Sequence, residues 1–139
     1  MKKTVIPVLV GIFISLAAGC GNNMDMLSAD SSYRRISAGE AHAMMNELTS
    51  FILLDVRTAE EFRQTRIAGA ILIPGSEIRE RAATELPDKN AVIIVYCRSG
   101  GRSINASYEL VHMGYKNVFD IIGGILDWPY GTVSSMAKK

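Results

Sequence analysis

The chain has 139 residues, 48% of them hydrophobic and 21% charged, with 15 Lys and Arg against 14 Asp and Glu. That length is enough for one small domain. The near-neutral balance gives no basis for holding nucleic acid or for electrostatic attachment to lipid, and there is no repeat or low-complexity block.

The amino terminus is read apart from the fold. Lys2 and Lys3 precede Thr4 to Gly19, an uncharged and mostly apolar run that ends in Ala17-Ala18-Gly19-Cys20. The run is shorter than the roughly 20 apolar residues that span a bilayer. It resembles a bacterial lipoprotein signal peptide, in which the cysteine after the cut is lipidated, although Leu16 stands four places before Cys20 where the usual pattern has three. The resemblance implies a signal peptide over 1–20, lipid on Cys20, and an extracytoplasmic protein anchored to a bacterial membrane. An uncleaved anchor, or an ordinary signal peptide with Cys20 free, are the alternatives. The first 20 residues hold two Lys and no acid, so the remainder carries 13 basic residues against 14 acidic. Residues 21–32 are small and polar and predict a flexible tether, with Met24, Met26 and Leu27 able to dock on the domain. The domain itself is placed at 33–139.

Within the domain, Tyr33–Ile36 predicts a first edge strand. Ser37 with Glu40, and Thr58 with Glu61, have the spacing of capping boxes that open helices. Phe51–Val56 and Ala91–Cys97 are continuous apolar runs, as in strands buried on both faces of a parallel sheet. Gly69–Pro74 and Asn117–Ile121 are shorter strand candidates. Ser76–Leu86 predicts a helix stopped by Pro87. Ile104, Ser107, Tyr108 and Val111 follow helical spacing from Arg102 or Ser103 to a stop at Gly114. Strands separated by helices predict an α/β domain with a mostly parallel sheet, whose ligands bind at the carboxyl ends of the strands.

Cys97 falls at such an end, in "YCRSGGRS". Gly100 and Gly101 allow the backbone to curl with positive φ, and a curled loop leading into a helix turns its N–H groups inward. Those dipoles, with Arg98 and Arg102, favour thiolate over thiol, so no histidine base is needed. The same cradle, formed by Arg98, Ser99, Gly100, Gly101, Arg102 and Ser103, would hold an anionic substrate against the sulfur. A buried Cys acting as a small hydrophobe is the bland alternative. His42 and His112 fall in predicted helices, are expected at the surface, and have no metal-ligand spacing with Cys97. No metal and no cofactor is expected. Once Cys20 is lipidated, Cys97 has no disulfide partner.

Taken together, "LLDVRTAEEF" (Leu53–Phe62), "RIAGAILIP" (Arg66–Pro74), "VYCRSGGRS" (Val95–Ser103) and "GYKNVFDIIGGILDW" (Gly114–Trp128) resemble, in order, the four blocks of a single rhodanese-like domain. The departures are Thr65, where the family usually has Gly, and Ala68, where it has Pro; both lie away from the cysteine. The resemblance implies a three-layer α/β fold with helices on both sides of the central sheet, and sulfur transfer through a persulfide on Cys97. It implies a small sulfur donor such as thiosulfate and a thiol or cyanide acceptor. Asp55 and Arg57 are assigned structural support, Asp55 bonding loop amides and Arg57 pairing with Glu60 or Glu61, and Trp128 covers the core. The protein is expected to be a monomer. A binding or regulatory module without catalysis is the alternative from another class. A phosphatase or arsenate-reductase-like enzyme is the weaker alternative, because such phosphatases place five residues between Cys and Arg, whereas only Arg98, Ser99, Gly100 and Gly101 separate Cys97 from Arg102.

Overall fold

A computed structural model describes residues 32–136. The proposed signal peptide, Cys20 and all but the last residue of the proposed tether lie outside them. In chain order the elements are β1 (Arg34–Ile36), α1 (Ala38–Glu47), β2 (Ile52–Asp55), α2 (Ala59–Gln64), β3 (Ile71–Leu72), a 3₁₀ turn (Gly75–Glu77), α3 (Ile78–Glu85), β4 (Val92–Tyr96), α4 (Gly101–His112), β5 (Asn117–Ile121) and a second 3₁₀ turn (Gly124–Asp127). The strands form one sheet in the order β1-β5-β4-β2-β3, and every pairing is parallel.

The two capping boxes form as the sequence predicts. The Ser37 hydroxyl accepts from Glu40 N–H while the Glu40 carboxylate accepts from Ser37 N–H, and Thr58 and Glu61 repeat the exchange at α2. β2 and β4 are central and apolar on both faces, and alternation along them divides the core into two layers. Leu54, Ile93, Val95 and Val118 pack with Ile78 and Ala82 of α3 and with Ala106 and Leu110 of α4. Leu53, Ile94, Tyr96, Phe119 and Ile121 pack with Ala41 of α1, Ile67 and Trp128 on the opposite face. Trp128 thus closes one side of the core, as expected.

β3 has only two residues where the sequence suggested six. Gly69 turns with φ +82° before it, and Pro74, which lacks an N–H, follows it. Ile73 and Gly75 N–H groups still donate to the carbonyls of Asp55 and Val56, at 3.1 and 3.0 Å. β4 ends one residue earlier than predicted, so Cys97 is the first residue beyond the strand. Among the described residues no helix is long and apolar enough to cross a membrane.

Candidate functional site

The residues after β4 make the curl that the glycines suggested, but the two glycines divide the work. Gly100 carries the positive φ, +102°, and stands immediately before α4, whereas Gly101 is already the first helical residue. Gly100 N–H donates to the Cys97 sulfur at 3.1 Å. Cys97 is the free cysteine of the described residues and is only 1% exposed. Burial pushes its thiol up, but the Ser103 hydroxyl and the amides of Ser103, Gly100 and Ser99 more than offset this and leave it more acidic than an ordinary cysteine. The sulfur therefore sits at the positive end of a 12-residue helix, where anionic sulfur is favoured.

A second loop holds this one in place, and sequence reasoning did not assign it to the site. After β5, Ile125 N–H donates to the Cys97 carbonyl at 2.9 Å and Leu126 N–H to the Arg98 carbonyl at 3.1 Å. The approach requires Gly124, which has φ +60°; a Cβ there would lie 2.4 Å from the Cys97 carbonyl oxygen and 2.6 Å from that of Arg98. The adjacent glycines Gly123 and Gly124 are the sequence signal that could have pointed to this contact.

Of the predicted cradle residues, Arg98, Ser99, Gly101 and Arg102 are exposed on the rim, while Gly100 and Ser103 are buried beneath it. The Ser103 hydroxyl donates to the Gly100 carbonyl at 3.1 Å. Arg102 makes a two-pronged ion pair with Glu61, both contacts at 2.7 Å, and this pair more than any other contact holds the Glu61 carboxyl down at about 2. Thr58 adds to that effect through the capping box.

The expected pairing of Arg57 with Glu60 or Glu61 is not formed. Arg57 is 3% exposed and its guanidinium grips Asp55, with Nη2 to Oδ2 at 2.6 Å and Nε to Oδ1 at 3.0 Å, while Nη2 also donates to the Thr65 carbonyl at 2.5 Å. Arg57 N–H donates to Asp55 Oδ1 at 2.9 Å, so Asp55 does bond the loop amide as predicted. The reason is local. The capping box turns Glu61 back toward Thr58, Glu60 pairs with Arg63, and Arg57, just before the N-cap, folds inward onto the end of β2. Arg57 is accordingly not remote from the loop. It lines a depression of about 460 Å³ with Arg102 and Asn105, and a second of about 330 Å³ with Arg98, Glu61 and Leu126.

His112 is exposed, as expected, and His42 is half-buried with its ring stacked on Tyr130 at 3.8 Å; neither belongs to the site. No group of acidic, His or Cys side chains among the described residues could hold a metal ion.

The rhodanese-like domain family matches residues 37–129, which contain both loops and the whole sheet but β1. The chain belongs to the rhodanese-like family. It is 45% identical over 74 residues to the thiosulfate sulfurtransferase PspE of Escherichia coli (strain K12), covering 53% of this chain and 70% of that protein. It is 38% identical over 103 residues to the chloroplastic thiosulfate sulfurtransferase 16 of Arabidopsis thaliana, covering 67% and 84%. Among solved structures, a rhodanese-related protein from Thermoplasma volcanium superposes with a TM-score of 0.64 at 32% identity, covering 73% of this chain and 98% of that one. A structure described as a rhodanese with anions from E. coli superposes with a TM-score of 0.56 at 40% identity, covering 61% and 99%. This rhodanese-like domain therefore has sulfurtransferase homologues, and its five-stranded parallel sheet is that of the family.

Proposed function

We propose that the protein is a sulfurtransferase that moves sulfane sulfur from an anionic donor such as thiosulfate to a thiophile through a persulfide on Cys97. One observation carries this: the sulfur lies beneath a Gly100 N–H and the start of α4, in surroundings that favour its anion. The Cys97 thiolate attacks the outer sulfur of thiosulfate. A sulfur–sulfur bond forms to Cys97, the donor's own sulfur–sulfur bond breaks, and its electron pair leaves with sulfite. Cyanide or a thiol then attacks the outer persulfide sulfur and returns the thiolate. This is covalent catalysis in two transfers.

Sulfur stays anionic throughout the cycle, as thiolate, persulfide or thiolate again. Donors fixed in the loop backbone therefore serve every state without rearrangement. Arg98 and Arg102 on the rim attract the dianionic donor, while Asp55 and Arg57 fix the ground beneath them. The interval of four residues from Cys97 to Arg102 gives a smaller cradle than a phosphatase loop, which suits a sulfur atom. Cys97→Ser tests the assignment: transfer from thiosulfate to cyanide should vanish with the unfolding midpoint unchanged. Turnover above background in the variant would dismiss Cys97 as the nucleophile.

The amino terminus supports a further part of the proposal, that lipid on Cys20 anchors the domain outside a bacterial cytoplasmic membrane. Two acyl chains on one cysteine meet the two-signal requirement for stable anchoring. Cys20→Ala should move the protein out of the membrane fraction or leave it uncleaved. Wild-type protein that takes up no labelled fatty acid would refute the anchor.

A further inference from the structure

The arginines that face the two depressions beside the Cys97 loop differ in what they already hold. Arg57, Arg79 and Arg102 line the larger depression, and Arg57 and Arg98 line the smaller. Arg57 is committed to Asp55, and the two side chains are buried, at 3% and 0% exposure. Separating them would strand a buried charge, so Arg57 stays in place. Arg79, on α3, holds Glu109 of α4 with contacts at 2.5 and 2.7 Å. Arg102 holds Glu61 through Nη1 and Nη2, each at 2.7 Å. The Arg98 side chain has no partner among the described residues.

Of the three engaged arginines, Arg102 is the one beside the cysteine loop. It stands in the first turn of α4, two residues after Gly100, whose N–H holds the sulfur. Its pair with Glu61 joins the two depressions, because Arg102 lines the larger and Glu61 the smaller. The two ends of the pair are unequal. The Glu61 carboxylate is tied down by the capping box of α2, where Oε2 accepts from the Thr58 N–H and hydroxyl, each at 3.1 Å. Among the described residues no other hydrogen bond holds the Arg102 guanidinium, and its side chain is 45% exposed against 26% for Glu61. A competing anion therefore draws Arg102 away and leaves Glu61 where it is. An exposed pair of this kind is weak enough to exchange.

We propose that Glu61 is a specificity-determining residue for the sulfur donor: its fixed carboxylate occupies Arg102 in the free protein, and a donor must displace it. The proposal rests on the reading of Arg102 as a donor-binding residue. The guanidinium is held by its two terminal nitrogens, a fork that carboxylates and other oxyanions both match. A ligand with one negative charge offers Arg102 no more than Glu61 already does. A dianion attracts it about twice as strongly at equal distance. Glu61 thus sorts donors by charge, admitting a dianion such as thiosulfate ahead of a monoanion.

The test uses the full chain at pH 7, with sulfate as an inert dianion, methanesulfonate as a monoanion of similar shape, and chloride to keep the ionic strength constant. NMR follows the Arg102 Nε–H and the Glu61 carboxyl carbon. Sulfate should shift both signals with one midpoint, and methanesulfonate at the same concentrations should shift neither. No response to sulfate overturns the proposal. So does a response of Arg102 without Glu61, because the anion then binds a free edge of the guanidinium and displaces nothing. Equal responses to the two anions overturn the sorting by charge. Glu61→Gln, which keeps the capping box, should tighten sulfate about three- to fivefold and let methanesulfonate shift Arg102. In the Arg102→Ala background the same substitution should leave sulfate affinity unchanged. Tightening of full size in both backgrounds means that the charge of Glu61 acts without Arg102 and overturns the proposal, as does no tightening in either. With thiosulfate, Glu61→Gln should lower KM by the same factor, the change falling on KM rather than on kcat. If the two inert anions behave as stated but thiosulfate transfers no sulfur, the proposed reaction fails and the competition between Glu61 and anions stands.

Discussion

Gly124→Ala probes the contact between the two loops. The added methyl would sit 2.4 Å from the Cys97 carbonyl oxygen and 2.6 Å from that of Arg98. Both obstacles are backbone, so relief requires the loop around Cys97 or the turn after β5 to move. Overpacking of this kind costs about 1–3 kcal/mol. The left-handed conformation at φ +60° adds about 1–2 kcal/mol for a residue with a Cβ. The sum is about 2–5 kcal/mol, which for a domain of this size is a fall in Tm of roughly 10 °C or more. Gly69→Ala is the matched control. Gly69 has φ +82° and nothing within 4 Å of an added Cβ, so it carries the conformational cost alone, about 1–2 kcal/mol. Urea unfolding, followed by the fluorescence of Trp128, measures both, and alkylation of Cys97 reports on the loop. Gly124→Ala should be the less stable of the two and alter the alkylation rate. Equal stability with an unchanged rate would refute the view that the second loop props the first.

Other outcomes separate scaffold from rim. Arg57→Ala leaves the Asp55 carboxylate buried without its partner and should cost about 3–5 kcal/mol in urea unfolding, whereas Arg102→Ala breaks an exposed pair and should cost less than about 1 kcal/mol while weakening transfer from thiosulfate. Glu61 binds its proton less readily when folded, at about 2, than when unfolded. Its contribution is therefore complete above the unfolded value of about 4.3 and is lost as the pH falls toward 2. Glu61→Gln keeps the capping box, so between pH 6 and pH 3 its urea midpoint should fall less than that of wild type. Because the Cys97 thiol is lowered, transfer should rise with pH through a midpoint below the ordinary cysteine value of about 8.5, and a midpoint at or above it would contradict the helix-end account.

Much of this was legible because it was local. A capping box is written within four residues, and both form. A central parallel strand shows itself as an unbroken apolar run, and the shorter strand predicted over Asn117–Ile121 forms with those bounds. Cys97 could be placed at a strand end because the glycines and arginines follow it directly. What escaped depended on residues far apart in the chain. Arg35 and Asp120 are separated by 85 positions and meet only because β1 pairs with β5. Gly124 is critical only because its turn lies against the carbonyls of Cys97 and Arg98. Arg57 had carboxylates on both sides within a few residues, and spacing alone could not say that the strand end, not the helix, would hold it.

The central claim is that Cys97 carries the transferred sulfur. Intact-mass spectrometry of the purified protein before and after thiosulfate, with fragmentation to locate the change, tests it most directly. A gain of one sulfur atom on Cys97, removed by cyanide with release of thiocyanate, is the predicted result. A mass that does not change with thiosulfate, with Cys97 reduced and open to alkylation, would contradict it.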